Sequence, residues 1–269
     1  MRSKLIDNLK KQKKILESQG HSIAYLSVYG SQNYGLDLYN DKYQSDIDMK
    51  AIIVPTLNDL VKDSKPVSTT IDTEWGQCDL KDIRTFFKTL LKANPSYIET
   101  IFTDYYIVDD KFKNEFDDIF RLREDLVKVL SAQFIRAAYG MMCEKEKALF
   151  HPYPTIKHKI DKFGYDGKQL SHAYRLWYLM QDYFNSNNFK NSMHPNKSVI
   201  GELIDYKLNK PTLEVAKNEI KEVMGKAKQF RDEVLIDIDE GKTDYSIKNY
   251  FIDLSQTIIE NKIIEECRK

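Results

Sequence analysis

The chain has 269 residues, with 41 basic and 41 acidic side chains and therefore no net formal charge at neutral pH. This balance excludes a global field that would draw the whole chain to nucleic acid or to a membrane, although a local basic patch is compatible with it. The three cysteines are odd in number and widely spaced, which excludes a disulfide framework and a cysteine metal motif. We therefore expect a cytoplasmic protein without a signal peptide or a membrane span.

Hydrophobic periodicity predicts a small mixed sheet flanked by helices in the first part of the chain. The predicted elements are helix 3–18, strand 22–29, helix 33–38, strand 45–54, helix 55–63, strands 67–75 and 77–80, helices 82–93 and 96–102, strand 105–108 and helix 111–120. Thr56 and Asp82 are predicted helix N-caps because their side-chain oxygens can accept hydrogen bonds from the first turn.

The rest of the chain has a purely helical pattern. The predicted helices are 124–148, 166–186, 196–207, 212–236 and 246–266. The change of pattern near residue 120 predicts two domains, a mixed domain over 1–122 and an all-helical domain over 123–269. The predicted fold class is therefore α+β.

Asp46 and Asp48 lie in the predicted strand 45–54, where residues two apart point to the same face. Their carboxylates would then lie side by side, with Ile47 facing the core. Adjacent carboxylates repel one another unless a cation lies between them, and Mg²⁺ suits oxygen ligands of this kind. Taken alone, the pair also fits a solvated polar strand end.

Gly30 and Ser31 follow the predicted strand 22–29. Glycine allows a sharp turn and the close approach of a bulky anion. Ser31 supplies a hydroxyl and a backbone N–H at the start of a short helix, which suits phosphate. A strand, a Gly-Ser turn, a short helix and a strand with Asp-x-Asp are together typical of metal-assisted phosphoryl or nucleotidyl transfer.

Gly30-Ser31 followed by Asp46-x-Asp48 resembles the signature of the DNA polymerase beta nucleotidyltransferase superfamily. The longer motifs resemble, more closely, its RNA-repair-pathway family of predicted nucleotidyltransferases, over roughly residues 20 to 210. The stretches that carry this closer resemblance are Gly30-Ser-x-x-Tyr-Gly-Leu36, Ser45-Asp-x-Asp48, Arg84 through Asn94-Pro95 and Glu99, and Lys168-x-x-x-His172-x-x-Arg175-Leu176.

The resemblance implies a polymerase-beta-like nucleotidyltransferase domain, followed by a helical domain that closes the cleft for nucleotide and acceptor. It implies two Mg²⁺ ions, for which Mn²⁺ could substitute, and a nucleoside triphosphate such as ATP as substrate. The metal ligands would be Asp46, Asp48 and a third acid from a neighbouring strand. Asp79 is the predicted third acid and catalytic group, and Asp72 and Glu74 are alternatives.

Lys168, His172 and Arg175 fall at i, i+4 and i+7, which places them on one face of the predicted helix 166–186. Cationic donors in a row suit triphosphate oxygens or an RNA backbone, because arginine can bind them bidentately and lysine acts as a point charge. The alternatives are a salt-bridged surface and, for His172, a half-buried histidine that orients a neighbour. The resemblance favours nucleotide binding by all three residues.

These observations predict a metal-dependent nucleotidyltransferase that moves a nucleoside monophosphate to an acceptor hydroxyl. The resemblance implies that the acceptor is an RNA or tRNA 3′ end. The alternatives are a protein side chain, as in toxin–antitoxin nucleotidyltransferases, and a small molecule such as an antibiotic. A non-catalytic module that binds nucleotide or RNA is a further alternative.

Overall fold

The computed structural model describes residues 2–40, 43–238 and 244–268. The fold is α+β, with a five-stranded mixed sheet, a two-stranded sheet and many helices. The strands are β1 (Ile23–Tyr29), β2 (Tyr39–Asn40), β3 (Tyr43–Gln44), β4 (Asp48–Ile53), β5 (Ser68–Asp72), β6 (Gln77–Asp82) and β7 (Tyr106–Val108). The helices are α1 (Arg2–Ser18), α2 (Ser31–Tyr34), α3 (Leu57–Val61), α4 (Ile83–Leu90), α5 (Pro95–Phe102), α6 (Lys113–Val129), α7 (Ser131–Leu149), α8 (Lys157–Phe163), α9 (Gly167–Ser186), α10 (Phe189–Ser192), α11 (Lys197–Lys207), α12 (Leu213–Asp237) and α13 (Ser246–Cys267).

Contacts group the chain into two compact units. The first comprises Met1–Asn33, Asp37–Leu130 and Asp244–Lys269, and the second comprises Tyr34–Leu36 and Ser131–Thr243. Within the described ranges, no helix combines the length and the apolar character that crossing a bilayer requires.

The large sheet lies in the first unit and has the strand order β5-β6-β4-β1-β7. β4 runs parallel to β6, whereas β1 is antiparallel to both β4 and β7. The register aligns Tyr29 with Asp48 and Lys50 with Asp79. The end of β1 and the start of β4 therefore meet at one edge of the sheet, with β6 beside them.

The two faces of this sheet have different neighbours. On one face, a buried cluster joins the apolar side of α1 to alternate residues of the strands: Leu5, Leu9, Leu16, Leu26, Val28, Met49, Ala51, Cys78 and Leu80. On the other face, Tyr25 is fully buried, stacks on Phe116 of α6 at 5.0 Å and donates its hydroxyl to the carbonyl of Thr100 in α5 at 2.7 Å. Because strand residues alternate between faces, Asp48 and Lys50 lie on the face opposite to Met49.

The predicted strand 45–54 begins later than expected. β4 starts at Asp48, so the prediction that Asp46 lies within the strand is wrong. The N–H of Ile47 donates instead to the carbonyl of Trp75 at 2.8 Å, in the turn between β5 and β6. Ile47 nevertheless packs against the core, as predicted, and Asp46 is exposed.

The predicted break near residue 122 lies inside α6, which continues to Val129 because no proline or glycine interrupts it. The chain turns at Leu130, and the two units divide there. The last helix, predicted within the helical domain 123–269, packs with the first unit through Phe251 against Phe87, with ring centroids 6.5 Å apart. That the two units are separate domains remains a prediction.

The second unit is helical. α7 packs on α9, where Phe134 meets Tyr183 edge to face with ring centroids 5.3 Å apart. α9 begins after its N-cap Asp166, whose carboxylate accepts the N–H of Lys168 at 3.3 Å. Residue 167 must be glycine, because a Cβ atom there would lie 2.0 Å from the carbonyl oxygen of Tyr206 in α11. Lys207 donates its ammonium group to the carbonyl of Leu36 at 2.9 Å, which ties segment Tyr34–Leu36 to this unit.

Candidate functional site

Gly30 ends β1 with a φ of 85°, a left-handed conformation that costs glycine little. A Cβ atom at this position would lie 3.6 Å from Oδ2 of Asp48. The backbone of the Gly-Ser turn therefore passes directly beside the Asp48 carboxylate. Ser31, half-buried, begins the four-residue helix α2 at this turn.

Two buried amides hold the turn in place. Asn33 donates to the carbonyl of Val28 at 3.1 Å and accepts a hydrogen bond from the hydroxyl of Thr103 at 2.7 Å. Gln32 donates its amide N–H to the backbone carbonyl of Asp46. The Gly-Ser turn and the segment that carries Asp46 are thus fixed to one another through side-chain hydrogen bonds.

Asp48 is the first residue of β4, and its Oδ1 accepts the backbone N–H of Gln77 at 3.3 Å. The turn before Gln77 lies against the chain at Ile47. A Cβ atom on Gly76 would be only 2.9 Å from the Ile47 carbonyl oxygen, so this approach requires glycine. The turn between β5 and β6 therefore helps to set the position of Asp48.

Asp79 lies on β6 beside Lys50 and contacts two ammonium groups. Its Oδ1 is 3.0 Å from Lys81 Nζ, and its Oδ2 is 3.9 Å from Lys50 Nζ. Burial raises the pKa of the Tyr29 phenol, and the charges of Asp48 and Asp79 raise it further. Both carboxylates therefore act on the same hydroxyl, which indicates that they lie on the same face of the sheet.

Lys50 is a buried cation that the sequence analysis missed. It is 2% exposed, and its Nζ lies 4.0 Å from the ring centroid of Tyr97 and 5.1 Å from that of Tyr29. Burial lowers its pKa to about 8, although the Asp79 carboxylate opposes this shift. One signal in the sequence could have identified it. Lys50 follows Asp48 by two residues in a strand rich in β-branched residues, so the two side chains lie on the same face of the sheet.

The alternative third acids lie elsewhere. Asp72 is exposed at the end of β5, where it accepts the side-chain N–H of Gln77 at 3.3 Å, and Glu74 is exposed in the following turn. Among the residues that the structure describes, no three histidine, cysteine or acidic side chains converge closely enough to hold a metal ion. The candidate carboxylates near the Gly30 turn are that of Asp48, which lies beside the Gly30 backbone, and that of Asp46, whose backbone carbonyl accepts the Gln32 amide.

Such a pair fits Mg²⁺, which proteins commonly bind through one or two carboxylates together with substrate phosphates. Asp79 fits a ligand role less well, because its carboxylate already contacts two lysine ammonium groups. An additional cation beside it would be repelled by both.

The predicted basic row lies on α9 in the second unit, and its members differ in exposure. Lys168 is exposed, His172 is half-buried and Arg175 is only 4% exposed. The Arg175 guanidinium stacks over the ring of Tyr34, 3.9 Å from its centroid. Tyr34 is also part of the Gly-Ser motif in the sequence.

The surroundings of His172 disfavour a positive charge on its imidazole. Burial lowers its pKa well below the ordinary value, and the positive charges of Arg175, Lys145, Lys168 and Lys207 lower it further. Nucleotide binding by Lys168, His172 and Arg175 stays a prediction. Lys145 of α7, which the sequence analysis did not include, belongs to this basic group, and burial lowers its own pKa.

Comparison with known proteins leaves the family of this chain undetermined. No family model matches the sequence, and no curated protein sequence matches it. The resemblance to polymerase-beta-like nucleotidyltransferases therefore rests on the motifs named above and stays a prediction.

Proposed function

We propose that this chain is a metal-dependent nucleotidyltransferase, with a polymerase-beta-like site in its first unit. The observation that carries the proposal is the approach of the Gly30 backbone to the Asp48 carboxylate, at 3.6 Å from a Cβ atom at that glycine. A turn open to a bulky anion then lies beside oxygen ligands for a divalent cation. Phosphoryl and nucleotidyl transfer need these two features together.

Each residue of this site has a proposed role. Asp46 and Asp48 hold Mg²⁺, which when bound neutralises phosphate charge and lowers the pKa of a coordinated hydroxyl. Gly30 leaves room for the β- and γ-phosphates of a nucleoside triphosphate, and Ser31 donates its hydroxyl to them. Gln32 and Asn33 keep the turn in register with Asp46 through the hydrogen bonds described above.

The proposed reaction is displacement at the α-phosphorus. The oxygen of an acceptor hydroxyl bonds to that phosphorus, the bond to the β-phosphate oxygen breaks, and pyrophosphate leaves with its electron pair. The hydroxyl proton passes to a base. We propose an RNA or tRNA 3′ hydroxyl as the acceptor, following the motif resemblance.

The basic group of the second unit has a separate proposed role. Lys168 and Arg175 bind anionic oxygens of a nucleotide or of RNA, and His172 contributes a neutral imidazole that can donate one hydrogen bond and accept another. The positive charges of Arg175, Lys145 and Lys168 all act on His172, so an anion bound beside them would be attracted by several cations, which supports this assignment.

The proposal is tested by incubating the full chain with Mg²⁺ and each nucleoside triphosphate labelled at the α-phosphate. Parallel reactions contain bulk tRNA, protein extract or an aminoglycoside, so that the labelled product identifies the acceptor class. We expect labelled RNA and an equal amount of released pyrophosphate. Asp48→Asn should lower the rate at least about a hundredfold, because it removes charge stabilisation from the reacting phosphate.

The matched control is Asp7→Asn, which removes an exposed acid of α1 and should leave the rate unchanged. Transfer that continues undiminished in Asp48→Asn would contradict the proposed metal ligands. A lack of both pyrophosphate release and labelled acceptor in every reaction would contradict catalysis itself.

A further inference from the structure

Asp79 is held between two basic side chains. Its two carboxylate oxygens lie 3.0 Å from Lys81 Nζ and 3.9 Å from Lys50 Nζ, and the hydroxyl of Thr70 is 3.5 Å from Oδ1. Lys81 in turn donates to the hydroxyl of Ser68 at 2.8 Å. The carboxylate is therefore part of a connected group of side chains on β4, β5 and β6.

Lys50 is fixed in this group. Its side chain is 3% exposed, and the ring of Tyr97 covers its ammonium group at 4.0 Å. A buried ammonium ion needs a compensating charge, and its ion-pair partner is Asp79. Withdrawing Asp79 to coordinate an incoming ion would leave Lys50 buried with less compensation, so the pair resists that movement.

We infer that Asp79 is a positioning residue and not a metal ligand, and that Lys50 supplies a fixed positive charge on the sheet face that carries Asp48. This inference rests on the proposed function and restricts it, because the protein alone then holds one divalent ion, on Asp46 and Asp48, where the motif resemblance implies two. Lys50 supplies a built-in cation beside the acids, where preorganised charge needs no reorganisation during the reaction.

The inference is tested by binding Mn²⁺ alone to the full chain and counting free ions by electron paramagnetic resonance. The wild-type protein should bind a single ion at this site. Asp48→Asn should weaken binding by at least about tenfold, since even groups that only orient a metal ligand contribute that much. Asp79→Asn should weaken binding by less than about tenfold and clearly less than Asp48→Asn, because it removes a nearby negative charge but no ligand.

The Asp7→Asn variant serves as the matched control, with the same chemical change at an exposed position of α1. Lys50→Met should tighten Mn²⁺ binding, because it removes a repelling charge from the site. If Asp79→Asn fails to fold, the double variant Lys50→Met with Asp79→Asn removes both partners of the ion pair and should keep the wild-type affinity or exceed it.

Two results would overturn the inference. If Asp79→Asn weakens Mn²⁺ binding as much as Asp48→Asn does, or if the wild-type protein binds two ions of which one is lost in Asp79→Asn, Asp79 is a ligand and the proposed function still stands. If Asp48→Asn leaves Mn²⁺ binding unchanged, the proposed metal site fails, and the inference about Asp79 fails with it.

Discussion

Lys50 in the first unit and His172 in the second are both bases whose pKa values are lowered mainly by burial. Their surroundings differ. The charges of Asp79 and Glu99 favour the protonated form of Lys50, whereas His172 has Arg175 and lysines as its charged neighbours. The first unit therefore compensates its buried charge internally. The charges that act on His172 instead oppose a positive charge on its imidazole.

The largest expected effect is on the stability of the fold around Lys50, whose buried charge Asp79 partly compensates. Asp79→Ala should lower the free energy of unfolding by about 1 kcal/mol near pH 7, because it leaves Lys50 buried with less compensation. The loss is limited because Lys50, with a pKa of about 8, can release its proton instead. Lys50 is charged below its pKa of about 8 and neutral above it, so the cost should shrink as the pH rises through that value. Urea unfolding at several pH values measures both effects.

Asp72→Ala is the control for this change and should alter stability little, because Asp72 is exposed. An equal loss of stability in the two variants, or a loss in Asp79→Ala that does not depend on pH, would contradict the internal compensation of Lys50.

The next effect concerns the pH dependence of stability that His172 causes. The pKa of His172 is lower in the folded than in the unfolded chain, so the unfolded chain binds more protons as the pH falls below the ordinary histidine value. His172 should therefore destabilise the fold progressively on acidification, by at most about 1.4 kcal/mol per pH unit for a single proton. His172→Gln should remove this part of the pH dependence.

Thermal unfolding between neutral and mildly acidic pH measures the dependence, with His158→Gln, at an exposed position of the same unit, as the matched control. If His172→Gln and the wild-type protein lose stability in parallel, His172 is not held neutral by its surroundings.

The smallest expected effect is on the pKa of His172 and tests the repulsion between this imidazole and Lys145. Lys145→Met removes a positive charge that lowers the pKa of His172, so that pKa should rise towards its ordinary value while stability changes little. An NMR titration of the imidazole signals, assigned with His172→Gln, measures the shift. An unchanged or lower pKa would show that the lysine does not contribute to the electrostatics of the imidazole.

Local signals were sufficient for much of the fold. The caps at Thr56 and Asp82 are confirmed, because a cap depends only on the residue and the next turn. The strand that leads to Gly30 and the helix that carries Lys168, His172 and Arg175 are also confirmed, since each has its own hydrophobic pattern.

Features set by distant parts of the chain were not predicted. The start of β4 depends on a hydrogen bond from Ile47 to the Trp75 carbonyl, in a turn that no local pattern links to the Asp-x-Asp stretch. In the sequence, Lys50 looks like an ordinary polar residue. Its ion-pair partner Asp79 and the ring of Tyr97 that covers its ammonium group come from β6 and α5, which are distant in the sequence. The return of α13 to the first unit likewise depends on tertiary packing.

The most direct test of the central claim is a crystal structure of the full chain with Mg²⁺ and a non-hydrolysable nucleoside triphosphate. The expected result is a Mg²⁺ ion about 2.1 Å from oxygens of Asp46 and Asp48, with triphosphate oxygens at the backbone of Gly30 and Ser31. A nucleotide bound away from that turn, or a metal ion held without Asp48, would contradict the claim.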